Sequence, residues 1–324
     1  MKKIPSLLLT MLLAFSSRAQ NNILESKAPQ ELTLFGRGWI STHIQERDFA
    51  ISPNGKEIFY TIATPRSDLQ TIVYTRQDKN GKWSKPEVAS FVSAYSDLEP
   101  AFSADGQTLY FSSNRPLEGN EAKDFDIWFV KRTGESWSEA VNVGAPINTV
   151  EDEFYPSIAK SGNLYFTASY SKGGKGREDI YCSHFKNNQF EIPLSLDSAI
   201  NSKFDEFNAF VSAKEDYLIF TCYGRKDDFG GGDLYISVKN ELGNWTKAKN
   251  IKEVNSSFLE YCPFVSTDGS KLFLTSNRYT KKIARKGVKL SFQEVLKLWE
   301  TEENSFSNIY WIDFQSVLKN YLEK

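Results

Sequence analysis

The chain has 324 residues, 40% of them hydrophobic, 14% aromatic and 25% charged, an ordinary balance for a globular protein. Its formal net charge of −2 excludes the strong basic excess that marks a nucleic-acid binder. Aromatic enrichment beside only 2 Met and 2 His suits half-buried, pleated strands, in which aromatic and β-branched residues pack well.

The first segment reads as a signal peptide over residues 1–19. Lys2 and Lys3 form a charged start, and Leu7 to Phe15 is an apolar run too short to span a bilayer as a helix. Ser17-Arg18-Ala19 supplies small residues where a signal peptidase reads them, so cleavage is expected before Gln20. The segment holds no Cys, so no lipoprotein anchor is expected, and the mature chain is expected to be periplasmic or secreted, with no transmembrane segment.

From residue 46 onward the chain repeats. Ile51-Ser52-Pro53-Asn54-Gly55, Phe102-Ser103-Ala104-Asp105-Gly106 and Val265-Ser266-Thr267-Asp268-Gly269 are clear copies of one turn. Weaker copies run from Ile158 to Gly162 and from Val211 to Glu215. The anchors at 52, 103, 159, 212 and 266 lie 51, 56, 53 and 54 residues apart, a period that means a solenoid, a propeller or an array.

Each copy carries four strand-like pieces. An apolar run ends at the anchor, and a second strand follows the turn: Ile58-Phe59-Tyr60-Thr61, Leu109-Tyr110-Phe111-Ser112, Leu164-Tyr165-Phe166-Thr167, Leu218-Ile219-Phe220-Thr221 and Leu272-Phe273-Leu274-Thr275. The third reads Asp126-Ile127-Trp128, Asp179-Ile180-Tyr181, Asp233-Leu234-Tyr235 and Asn308-Ile309-Tyr310, with Ile72-Val73-Tyr74 as a divergent copy. The fourth opens on Trp83, Trp137, Phe190 or Trp245. Four short strands per repeat make a propeller blade, and the blades are expected at about 46–92, 97–146, 153–200, 206–254 and 260–318.

The fifth copy lacks a fourth strand, and the segment at residues 30–36 is a spare one that could close the ring. The expected fold is therefore all-β: a five-bladed β-propeller closed by an N-terminal strand, with one helical insertion in the last blade. Closure also removes an open sheet edge.

The run Glu99 to Arg115, followed by Asp126-Ile127-Trp128, resembles the TolB-like, WD40-like propeller repeats of bacterial exported proteins. That resemblance covers essentially the whole mature chain. It implies a periplasmic or secreted binding module and says little about the ligand.

A residue type present in every blade is expected to serve the blade. The position six before the anchor is acidic in all copies, as Glu46, Asp97, Glu153, Glu206 and Glu260. These are expected to tie inner strands to turns, with Arg115 and Arg278 as partners, since like charges brought together are costly. Asp126, Asp179 and Asp233 are expected to stabilise turns. The loop Asp227-Asp228 to Gly232 lacks EF-hand spacing.

The position four before the anchor differs in every blade: Asp48, Glu99, Tyr155, Asn208 and Cys262. Asp48, Glu99, Tyr155 and Asn208 are the candidate ligand-binding residues of the central channel. The preceding residue, Arg47, Leu98, Phe154, Phe207 or Tyr261, should then pack between blades, because side chains alternate along a strand.

The insertion from Tyr279 to Ser305 is the least repetitive element. Lys281, Lys282, Arg285 and Lys286 form a basic cluster; Phe292, Val295, Leu296 and Trp299 follow at helical spacing, and Ser291 with Glu294 fits a capping box. Lys281, Lys282, Arg285, Lys286 and Trp299 are the candidate partner-binding residues. Strand connectivity puts the insertion on the same face as the acidic ring.

His43 and His184 sit in no nucleophile or zinc pattern, and neither a catalytic residue nor a metal site nor a cofactor is expected. Cys182, Cys222 and Cys262 leave at least one thiol unpaired; buried free thiols are favoured, with one disulfide open. The expected function is a non-enzymatic exported module, a monomer, that binds a protein or cell-envelope glycan. The competing expectation is a carbohydrate-active or lactone-hydrolysing enzyme with a carboxylate or calcium site in the channel.

Overall fold

The computed structural model describes residues 22–279 and 289–322. Five antiparallel sheets form the five blades of a propeller. From the axis outward, blade 1 is Gln45–Ile51, Glu57–Ala63, Gln70–Arg76 and Glu87–Val88. Blade 2 is Asp97–Phe102, Thr108–Ser113, Asp126–Thr133 and Val141–Asn142. Blade 3 is Glu153–Ile158, Leu164–Ala168, Asp179–Ser183 and Leu194–Ser195. Blade 4 is Asp205–Val211, Tyr217–Tyr223, Asp233–Val238 and Lys249–Asn250.

Blade 5 has Glu260–Val265, Lys271–Ser276 and Asn308–Asp313, and its outermost strand is Thr33–Leu34. Thr33 pairs with Trp311 and Leu34 with Tyr310, so the N-terminal segment closes the ring as expected. Phe35 completes the closure. Its ring sits edge-on at 5.3 Å from Phe49 and 5.1 Å from Phe273, which joins the closing segment to blades 1 and 5.

Apolar residues at alternate strand positions pack blade against blade, with Phe59, Phe111, Phe166, Phe220 and Phe273 fully buried in the second strands. All three cysteines are buried and unpaired.

The fourth strands begin later than the spacing suggests. Trp83, Trp137, Phe190 and Trp245 instead face the end of the third strand, opposite Gln77, Arg132, Phe185 and Lys239. From there they fold into the seam with the preceding blade, where burial stabilises a large aromatic ring better than an exposed edge does. The outermost strands proper are two residues long, which limits the edge open to other chains.

Two α-helices occur among the described residues. The first, α1 (Phe292–Trp299), lies in the insertion and carries the full capping box between Ser291 and Glu294. The second, α2 (Phe314–Leu322), was not evident from the repeat pattern; it buries Phe314 and Val317. Its Tyr321 hydroxyl donates to the Asn250 carbonyl at 3.1 Å, so α2 fastens blade 5 onto blade 4. No helix among the described residues is long and apolar enough to cross a membrane.

Candidate functional site

The acidic ring is structural in its geometry. Each carboxylate is buried and accepts hydrogen bonds from the Ser or Thr four residues earlier. Thr149 donates its N–H (3.2 Å) and hydroxyl (2.7 Å) to Glu153, and Ser202 (2.8 and 2.6 Å) and Ser256 (2.7 and 2.8 Å) do the same to Glu206 and Glu260. Thr42 and Ser93 serve Glu46 and Asp97. Arg115, Arg225 and Arg278 then pair with Asp97, Glu206 and Glu260.

The Asn before three of these Ser or Thr residues makes a second clasp. Asn148, Asn201 and Asn255 each accept from and donate to the backbone of one third-strand residue, Ile127, Ile180 or Leu234, at 2.8–3.0 Å. The pattern Asn-[Ser/Thr]-x-x-x-[Asp/Glu] is visible in the sequence and marks these junctions; only its acidic end was singled out from the repeats.

Glu46 and Glu153 lack an arginine partner among these pairs. Glu46 accepts from Asn308 at 2.8 Å. Burial pushes both carboxyls up to about 7, against the hydrogen bonds from Thr42 and Thr149. Asp126, Asp179 and Asp233 each open a third strand: Asp179 accepts from the preceding backbone N–H groups of Lys175 and Gly176 and Asp233 from that of Phe229, whereas Asp126 pairs with Lys123 and accepts from the Asn142 amide.

The channel candidates do meet at the axis. Asp48, Glu99, Tyr155, Asn208 and Cys262 all have left-handed backbone, with φ between 50° and 61°, and each marks a register shift in its inner strand. Non-glycine residues there carry a strain of about 1–3 kcal/mol each. The compensation is a stitch between blades. The N–H groups of Asp48, Glu99, Tyr155 and Asn208 donate to Thr275, Thr61, Ser112 and Thr167, each on the second strand of the preceding blade.

The left-handed residue also breaks the expected alternation. Arg47 does not pack between blades; its guanidinium turns to the axis, with Nε 2.7 Å from Asp48 Oδ1 and Nη2 2.9 Å from Glu99 Oε1. It lies 5.2 Å from the centre of the Tyr261 ring. Glu99 accepts further bonds from Tyr155 N–H (2.7 Å), Ser112 Oγ (3.1 Å) and Asn208 Nδ2 (3.3 Å). The Cys262 thiol donates to Asp48 Oδ1 at 2.8 Å, and the Tyr155 hydroxyl crosses to the Pro263 carbonyl at 3.0 Å.

The electrostatics follow from burial. Asp48 and Glu99 side chains are 1% and 3% exposed, and Arg47 is 15% exposed. Burial pushes Glu99 up to about 7, opposed by Arg47 and reinforced by Asp48. Burial, then the Asp48 charge, holds the Cys262 thiol well above its ordinary range, so it is a protonated donor. Asp48 Oδ2 is buried without a hydrogen-bond partner among the described residues. Beneath this layer Phe49, Phe210 and Phe264 pack ring to ring and leave a cavity of about 50 Å³. The centre is a plug.

Glu46, Glu99 and Glu153 share a sign. A folded-state value raised from 4.5 to about 7 gives stability that is complete below the unfolded value and lost as pH rises through 7. Unfolding free energy is expected to fall by roughly 2–4 kcal/mol from pH 5 to pH 8. Urea titrations at the two pH values measure it; equal midpoints, or a rise with pH, would show these carboxylates to be ordinary.

Of the partner candidates, Trp299 alone falls within the described residues. Trp299 ends α1 and is 69% exposed; Lys281, Lys282, Arg285 and Lys286 fall outside the described residues. The end of the insertion, at Glu302 to Asn304, is held on the face where the inner strands begin. Arg37 pairs with Glu302 (2.9 Å) and Glu303 (3.1 Å), and Asn304 donates to the His43 carbonyl.

No family model matches the chain. It is 23% identical over 287 residues to a tricorn protease of Thermoplasma volcanium, a match covering 86% of this chain and 25% of that protein. The chain thus spans about a quarter of that relative. Zg3597, a family 117 glycoside hydrolase from Zobellia galactanivorans, superimposes with a TM-score of 0.50 at 15% identity, over 90% of this chain and 92% of that one. A putative TolB from Agrobacterium tumefaciens gives 0.49 at 13% identity, over 84% and 78%. What is shared with the glycoside hydrolase is the fold, and a fold does not by itself fix function.

Proposed function

We propose that this protein is an exported, non-enzymatic propeller that binds a protein partner through the face carrying the insertion, with residues 1–19 acting as its export signal. One observation carries the reading: α1 has no buried residue, and Phe292 and Trp299 are 72% and 69% exposed. With Val295 and Leu296 they form one apolar stripe at positions i, i+3, i+4 and i+7, the pattern by which a helix seats in a hydrophobic groove. The axis supports the same reading from the other side, because Arg47 and neighbouring blades take up the polar atoms of Glu99.

The alternative, a carbohydrate-active or lactone-hydrolysing enzyme, draws on Asp48 Oδ2 being unpartnered and on a Glu99 raised to about 7, as a general acid requires. Its acid is closed off by the side chains around it. The test is capture of partners from envelope extract by immobilised wild-type protein and by the Phe292→Ser/Trp299→Ser variant. Loss of the captured protein by at least tenfold is expected; full retention would overturn docking through α1.

A further inference from the structure

The opposite face, where the inner strands end, has five seams between neighbouring blades, and the chain treats them differently. The residue before each second strand's apolar run sets the difference. At the seam of blades 5 and 1 it is Lys271, whose ammonium donates to the Leu24 carbonyl at 2.9 Å. There the turn Ile23–Glu25 lies in the seam, with Ile23 buried and Leu24 against Gly55. At blades 3 and 4 it is Asn163, which with Tyr165 and Ser161 holds Glu215 in place. At blades 4 and 5 it is Tyr217, which packs on Phe314 of α2 at 5.4 Å. At blades 1 and 2 it is Glu57, paired with both guanidinium nitrogens of Arg132, which stacks on Trp137 at 4.2 Å. The depression of about 550 Å³ outside that pair is lined by charged groups, among them Lys56, Arg76, Asp78 and Glu135.

The seam of blades 2 and 3 differs in two places. Thr108 stands where two other seams have the charged Glu57 and Lys271, and Phe185 stands where Arg132 and Lys239 cover the aromatic rings of blades 2 and 4. Phe185 is 37% exposed and packs on Phe190 at 5.0 Å. No ion pair spans the seam among the described residues, and a cleft of about 410 Å³ remains, walled by Tyr110, Ile158, Phe185 and Phe190 with Ala104 and Lys160 at its rim.

We propose that this cleft is a second binding site, for a short apolar segment of a partner polypeptide that seats an aromatic or branched side chain between blades 2 and 3. The fold supplies its own precedent: the equivalent seam of blades 5 and 1 is occupied by a polypeptide turn that buries an isoleucine and offers a carbonyl to a lysine. The cleft lies on the face opposite α1, so this site stands independently of the docking proposed above.

The test is fluorescence polarisation with a fluorescein-labelled hexapeptide centred on an Ile-Trp pair and a Ser-Ser control. Wild-type protein is expected to bind the first saturably and not the second. The Thr108→Glu/Phe185→Arg variant, which rebuilds the ion pair that covers the seam of blades 1 and 2, is expected to bind at least tenfold more weakly. Ala104→Glu, an exposed substitution at the rim, is expected to weaken binding similarly with an unchanged melting temperature. Phe292→Ser/Trp299→Ser is expected to leave peptide affinity unchanged, which separates the two faces. No saturable binding by wild type, or wild-type affinity in both cleft variants, would overturn the site.

Discussion

Replacing Arg47 with alanine is expected to destabilise the protein by about 3–5 kcal/mol at pH 8, the usual cost of breaking a buried ion pair by removing one partner. The two carboxylates it bridges are 1% and 3% exposed, so water cannot take the guanidinium's place without opening the ring. The loss should shrink in acid. Arg47 is the main group holding Glu99 down, and without it Glu99 takes up a proton more readily, which lessens the unpaired charge. Arg47→Ala/Glu99→Gln should recover part of the loss by the same logic. Urea unfolding followed by tryptophan fluorescence measures each variant. A change under about 1 kcal/mol, the scale of an exposed pair, would mean that the bridge contributes little and the centre is open to solvent.

Phe35→Ala should have a comparable effect for a different reason. The ring is 6% exposed and contacts Phe49, Phe273 and Trp311 at 5.1–5.3 Å. Truncating a core phenylalanine costs about 3–5 kcal/mol through lost transfer energy and the cavity left behind. The cavity falls where the chain closes on itself, so collapse around it would have to separate Thr33–Leu34 from Tyr310 and Trp311. Hydrogen exchange should therefore rise first at Tyr310 and Trp311, the partners of the closing strand. If protection there matched wild type while stability fell, closure would not depend on this ring.

The ring was legible because it rests on a local, repeated signal, the turn after Ser52, Ser103 or Ser266; its closing strand followed from the strand missing in the fifth copy, and the insertion helix from its spacing and the cap at Ser291. The acidic positions were legible as structural because they recur in every blade. The orientation of Arg47 was not. Strand alternation placed it between blades, and the left-handed residue at 48 reverses that locally. No local signal announces it, since Asp, Glu, Tyr, Asn and Cys share no backbone preference; only their common place in the repeat does. The tryptophans misled for a related reason. Trp137 reads as the start of a strand, but Phe59, Phe102 and Arg132 hold it in the seam, and the contacts with Phe59 and Phe102 span distant parts of the chain. α2 follows blade 5 without a break, and its apolar residues read as more strand until Tyr217 and Asn250 are brought beside them.

If the axis serves stability and the insertion face recognition, one comparison separates the two. Arg47→Met/Asp48→Asn/Glu99→Gln removes every charge from the central bridge while keeping side-chain size, a replacement that buried ionic clusters often tolerate. Partner capture by this variant, measured beside wild type and Phe292→Ser/Trp299→Ser, is the decisive measurement. Capture at the wild-type level by the charge-free centre, with loss in the helix variant, is the predicted result. Loss of capture in the charge-free centre, with the fold intact and the helix variant still active, would contradict the account and return function to the channel.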